Sequence, residues 1–215
     1  MKIIITGSTG QIGSVLSSNL SNQAHQLYPL VLSKLDSLSD NMAITEYELF
    51  VSEYISSFVE SLDLSSSKDS FGIVLCHRPR VISTHKSFLT GIFPVLILLG
   101  TILSFGTRVR LVHISSITGT EFFSAQIPLA YHLFHSSIET MLQHFCISCP
   151  DHFWHVSLRL GDVRKSIAAD RFSEEYGVID VDQVAYAVSN ALCALPESAR
   201  GSKLTLDYGK RMLQA

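Results

Sequence analysis

The chain has 215 residues, of which 47% are hydrophobic and only 16% charged, with a formal net charge of −3. That length fits one domain with a full core, and so apolar a chain suits a buried parallel sheet better than a solvated array of helices. Mild acidity and scattered basic residues argue against a phosphate-backbone binder, so no nucleic-acid partner is expected.

The chain opens on Lys2-Ile-Ile-Ile-Thr-Gly-Ser-Thr-Gly-Gln-Ile-Gly13. The run Ile3 to Ile5 reads as a buried strand, broken at Gly7, with Gly10 and Gly13 following at three-residue spacing. Val15, Leu16 and Leu20 then fall on one face of a helix. Strand, glycine turn and helix aim free backbone N–H groups and the positive helix end at an anion. Gly7, Ser8, Thr9, Gly10, Gln11, Ile12 and Gly13 are therefore candidate dinucleotide-binding residues. No Gly-Lys-Ser/Thr follows, which disfavours a nucleotide-triphosphate loop.

Further on, Leu27 to Leu32 reads as a second strand running into Ser33-Lys34-Leu35-Asp36, and Ser37 to Asn41 as polar loop. Met42 to Thr45 is expected to be a short third strand. Phe50 to Leu62 repeats apolar residues at three- and four-residue steps, as an amphipathic helix does. After a polar loop (Ser65 to Ser70), Phe71 to Cys76 is a strand. Residues Ser87 to Thr107 carry no charge. By length they could cross a membrane, but three Gly, a Pro and several Ser/Thr favour a helix near Ser87 to Phe105, buried in the core and at a subunit interface. Strands are expected at Val109 to Ile114, His155 to Leu160 and Leu204 to Leu206. Helices are expected at Tyr131 to Cys146 and, capped by Asp180, at Val181 to Leu195. The alternation implies a single domain over residues 1–215, a Rossmann-type doubly wound parallel sheet in three α/β/α layers.

Four cysteines, and a Met1 leading straight into a strand without a charged leader, suggest reduced thiols and a cytoplasmic setting. His144, Cys146, Cys149, His152 and His155 have metal-ligand spacing. They straddle a helix end, a loop and a strand, however, and Cys-x-x-Cys at a helix C-terminus lacks the dipole that activates a thiol, so no metal is expected. His113, mid-strand, reads as a packed core residue. His77, Arg78 and Arg80 follow a strand end, where ligands sit in such sheets.

In order, these segments resemble the short-chain dehydrogenase/reductase superfamily, from residue 2 to about 209. Thr6 to Gly13 is similar to its TGxxGxxG loop, and Leu111-Val-His-Ile-Ser-Ser-Ile-Thr-Gly119 to the strand bearing its catalytic serine. Tyr131 with Ser136-Ser137-Ile138-Glu139 is similar to the YxxxK helix and its continuation, and Ser157-Leu-Arg-Leu-Gly-Asp-Val163 to its R-P-G-x-V segment. Ile179 to Ala185 and Gly201 to Gly209 are similar to its closing helix and strand. The resemblance implies hydride transfer between a nicotinamide and the carbonyl or hydroxyl carbon of a small molecule. Tyr131 would be acid/base and Ser116, or alternatively Ser115, the oxygen anchor. A subunit interface on the long apolar helix and the Tyr131 helix, hence a homo-oligomer, is also implied.

The departures bear on catalysis. His135 stands where the family has lysine, and it titrates near neutrality and is shorter. Phe88-Leu-Thr-Gly91 replaces the helix asparagine segment, and Cys76-His-Arg-Pro-Arg80 stands where a small turn is usual. These features keep open a second class, a nucleotide-binding protein without turnover that serves as a sensor or assembly partner. Cys76, His77, Arg78, Tyr131 and His135 join the candidate cofactor-binding residues. Ser33 and Lys34 offer a hydroxyl and a cation suited to a 2′-phosphate, favouring NADP over NAD, unless Asp36 reaches the ribose.

Overall fold

A computed structural model describes residues 1–23, 25–32, 35, 42–62, 70–76, 88–116, 129–160, 163–164, 179–194, 196–207 and 210–213. Strand β1 (Lys2–Thr6) leads through the glycine turn into helix α1 (Gln11–Asn22) and strand β2 (Gln26–Leu30). Helix α2 (Ile44–Glu60) and strand β3 (Phe71–Leu75) follow, then one π-helical turn (Phe88–Ile92) that continues into α3 (Phe93–Ser104). Strand β4 (Val109–Ser116), helix α4 (Leu129–Ser148) and strand β5 (Phe153–Leu160) form the next unit. A two-residue pair, β6 (Val163–Arg164) with β7 (Ile179–Asp180), precedes α5 (Val181–Cys193), β8 (Ser202–Asp207) and β9 (Lys210–Leu213).

The main sheet runs β2-β1-β3-β4-β5-β8-β9, parallel throughout except for the antiparallel β8–β9 pair at its edge. Strand side chains alternate between faces, and each face is covered by helices. Ile3, Ile5, Val74, Val112, Val156 and Leu158 meet α1 and α5 through Leu16, Leu20, Val184 and Val188. Ile4, Ile73, Leu111 and Phe153 meet α2, α3 and α4 on the other face. The result is the doubly wound three-layer domain expected from the alternation of elements.

Several boundaries differ from the sequence reading, three of them with a clear physical consequence. Helix α2 begins at Ile44, so Ile44 and Thr45 form its first turn and the expected strand at Met42 to Thr45 is absent. Tyr47, Val51, Ile55 and Val59 recur every fourth residue and are all buried. That stripe extends the helix backwards, overriding the β-preference of Ile44 and Thr45. Strand β2 is thus the outer strand on its side among the described residues. Its Pro29, opposite Ile5, sits on an edge strand, where proline is tolerated. The second difference is that the uncharged stretch is a twelve-residue α-helix behind a π turn. No helix among the described residues is long and apolar enough to cross a membrane. Pro94 is the second residue of α3, directly after the π turn, so its missing N–H falls where the π and α hydrogen-bond patterns meet. Finally, β4 reaches Ser116, two residues beyond the expected end.

Helix α5 starts where the sequence marks it: the Asp180 carboxylate accepts a hydrogen bond from the Asp182 N–H at 2.8 Å. Asp180→Ala removes this cap and is expected to destabilise the protein by about 1 kcal/mol. A denaturant titration showing no loss of stability would refute that role.

Candidate functional site

The strand order reverses between β1 and β3, because the chain leaves β1 for β2 on one side and returns to β3 on the other. In such sheets the crevice at the carboxyl ends of these strands is where ligands bind. The glycine turn lies there. Gly7 has φ of 68°, in the left-handed region that favours glycine. A Cβ on Gly13 would lie 2.2 Å from the Gly7 carbonyl oxygen, and one on Gly10 would lie 3.2 Å from the same atom. Helix α1 begins with Gly10 as N-cap and has no side-chain cap, so its first N–H groups point into the crevice uncovered by a capping oxygen. The turn thus requires glycine at positions 7 and 13 and leaves the start of α1 open at the crevice.

Cys76 borders this turn, its N–H donating to the Thr6 carbonyl at 3.3 Å. Cys76 is half-buried, and desolvation pushes its thiol up to about 12. His77, Arg78, Ser33 and Lys34 lie outside the described residues, as does Asp36. Ser116 is the last residue of β4, and Tyr131 lies in the first turn of α4. Helix α4 ends next to the start of β5, so its opposite, N-terminal end faces the carboxyl edge of the sheet. The glycine turn, Ser116 and Tyr131 are therefore on the same edge.

Beneath this edge, the layer between α4 and the sheet carries a polar seam. Ser115 faces it: its hydroxyl donates to Glu139 Oε1 at 2.8 Å. Arg159 on β5 donates from Nε to the same oxygen at 3.0 Å and from Nη2 to Oε2 at 2.7 Å, and Lys203 on β8 adds an ammonium 3.3 Å from Oε2. The Glu139 side chain is only 3% exposed. Burial pushes its carboxyl up. The hydrogen bonds from Arg159 and Ser115, with the charges of Arg159 and Lys203, outweigh that and bring it down to about 2.

His135 is 5% exposed, its ring stacked on that of His113 with centroids 5.9 Å apart. His113 Nδ1 is 3.4 Å from the Ser157 hydroxyl, and burial, reinforced by His135, lowers it to about 3. His155, also buried, is lowered to about 4, mainly by burial. Its Nδ1 is 3.1 Å from the Cys146 sulfur, whose thiol burial raises. His144 and His152 are exposed. Among the described residues no three metal-ligating side chains are grouped to hold an ion.

The Ser115–Glu139–Arg159–Lys203 cluster escaped the sequence reading. Its signal was present: Glu139 interrupts the stripe Phe134, Ile138, Leu142, Cys146, and Arg159 interrupts a strand that is otherwise buried and mostly apolar. Two opposite charges in two buried elements ask for each other.

No family model matches the chain, and no curated protein matches it. Solved structures match in fold. 3-alpha-hydroxysteroid dehydrogenase from Pseudomonas sp. B-0831, complexed with NADH, aligns with a TM-score of 0.71 at 17% identity, over 97% of this chain and 96% of that one. A small-chain dehydrogenase in complex with NADPH aligns at 0.66 and 10% identity, over 96% of both chains. UDP-glucose 4-epimerase from Thermus thermophilus, in complex with NAD, aligns at 0.63 and 18% identity, covering 99% of this chain and 79% of that one. The protein thus has the Rossmann-type α/β fold of these structures.

The seam makes stability acid-sensitive. Folding holds His113 and His155 neutral, whereas in the unfolded chain both take up protons near pH 6.5. The unfolded state therefore binds more protons below that pH, and stability falls as pH drops from 6.5 towards about 4 for His155 and about 3 for His113. Glu139 adds a loss in the same direction only between 4.5 and about 2. Each histidine is expected to cost about 1.4 kcal/mol per pH unit below pH 6.5. Chemical denaturation at pH 7.5 and 5.5 measures this; equal stabilities would refute the neutral buried state.

Proposed function

We propose that the protein is a nicotinamide-dependent oxidoreductase of the short-chain type, acting on the carbonyl or hydroxyl group of a small molecule. The observation that carries this reading is the glycine turn. Gly13 lets the start of α1 close onto the Gly7 turn, and the first N–H groups of α1, without a side-chain cap, are left at the crevice where a pyrophosphate would bind. The turn shares its sheet edge with Ser116 and Tyr131. The fold likeness to dehydrogenase structures holding NADH or NADPH supports the same reading.

When bound, the nicotinamide supplies or accepts the hydride. In the reducing direction Tyr131 would give its phenolic proton to the substrate oxygen as the C=O π pair moves onto it, and solvent would restore that proton. Ser116 orients the oxygen. Ser115 is not available for this role, because its hydroxyl is committed to Glu139. Lys34 and Ser33 favour NADP by offering a cation and a hydroxyl to a 2′-phosphate.

One observation favours a second reading, nucleotide binding without turnover. The residue in the lysine position, His135, is packed against His113 and Phe134 in the core. A short buried imidazole is a weaker support for a tyrosinate than a lysine ammonium.

Melting curves with NADPH, NADP, NADH and NAD test the shared part of both readings. At a concentration of about 100 Kd the favoured nucleotide is expected to add about 2.7 kcal/mol of stability, with NADPH ahead of NADH. Gly13→Val should abolish that shift, and absence of any shift in the parent would sink both readings. Consumption of NADPH across a panel of carbonyl compounds separates them. Tyr131→Phe is expected to reduce turnover at least about 100-fold while keeping the nucleotide shift, and a Tyr131→Phe variant as active as its parent overturns the acid/base assignment.

A further inference from the structure

The Glu139 carboxylate joins four elements at one point. It belongs to α4 and receives Ser115 from β4, Arg159 from β5 and Lys203 from β8. Ser115 is the chain neighbour of Ser116, and Glu139 lies on the same helix as Tyr131, eight residues on. Both residues proposed to handle the substrate oxygen are therefore one covalent segment away from the same carboxylate.

A buried ion pair is a poor way simply to glue a helix to a sheet. Desolvating the Glu139 carboxylate and the Arg159 guanidinium opposes much of their attraction, and apolar side chains of similar volume hold as well or better. Ile138, Leu142 and Cys146 already provide that adhesion along the same stripe. Apolar contact is non-directional, however, and resists sliding along the helix axis weakly. The hydrogen bonds of 2.7, 2.8 and 3.0 Å to the two carboxylate oxygens are directional, and two of them come from one rigid guanidinium fork.

We infer that Glu139 is a positioning residue: by holding the end of β4 through Ser115 and the body of α4 at once, it sets where Ser116 and Tyr131 stand relative to each other. The roles of Ser116 and Tyr131 in this arrangement rest on the oxidoreductase reading above; the tie itself does not.

The test is residue-resolved amide hydrogen exchange on the full chain, for Glu139→Gln and for the milder Ser115→Ala. In Glu139→Gln, the amides of Ile114, Ser116, Phe134 and His135 are expected to exchange at least about tenfold faster relative to those of Ile4 and Ile55. In Ser115→Ala, which leaves the ion pair in place and guards against a Glu139 variant that fails to fold, the gain is confined to Ile114 and Ser116. Unchanged protection at these positions, or an equal rise at Ile4 and Ile55, overturns the inference, since a purely structural role loosens the whole domain together. Turnover supplies the second readout. In Glu139→Gln, kcat should drop about tenfold with the NADPH melting shift retained, whereas Val59→Ala, a core truncation in α2, should lower stability with kcat retained. Full kcat in Glu139→Gln overturns the positioning role. A parent chain without turnover refutes the oxidoreductase reading, while the exchange ratio still decides whether Glu139 ties the two ends.

Discussion

The start of α1 is packed directly on the turn that precedes it, where Gly13 lies against the Gly7 carbonyl with no room for a side chain. This contact sets the distance of α1 from β1. It lets Leu16 and Leu20 drop onto the sheet face shared with Val184 and Val188 of α5. It also leaves the first N–H groups of α1 at the crevice between β1 and β3. The fold and the proposed nucleotide site are consequences of the same missing methyl groups, so a change there is felt in both.

The two faces of the sheet are built differently. Against α1 and α5 the interface is apolar, with Val, Leu, Ile and Ala interleaved. Against α4 it carries His113, Ser115, His155, Ser157, Arg159, His135 and Glu139 within an otherwise apolar layer. Burial settles the charge states there. The imidazoles of His113 and His155 stay neutral, while Glu139 remains ionised because two cations and a hydroxyl surround it. Such a layer gains little net stability from its polar groups, but it restricts how α4 can lie. That restriction falls on the helix carrying Tyr131 and on the strand carrying Ser116.

Much of the fold was legible because local pattern and burial agreed. The isoleucine run of β1, the fourfold stripe of α2, the Asp180 cap and the order of strands and helices all follow from period, glycine spacing and capping chemistry. The start of α2 was not legible. Ile44 and Thr45 are β-branched and Ala43 offers no side-chain cap, so only the buried Tyr47 stripe identifies those residues as helical. The commitment of the Ser115 hydroxyl to Glu139 was not legible either, because the two residues belong to different elements.

The sequence by itself therefore determined the order of strands and helices and the glycine turn, because both show in the pattern of residues close along the chain. The meeting of Ser115, Glu139, Arg159 and Lys203, and the burial of His135 against His113, were decided only in three dimensions. These groups come from different elements, and no local rule pairs a helix carboxylate with a guanidinium twenty residues on. Their pairing follows from a parallel sheet that places β4, β5 and β8 side by side under one helix.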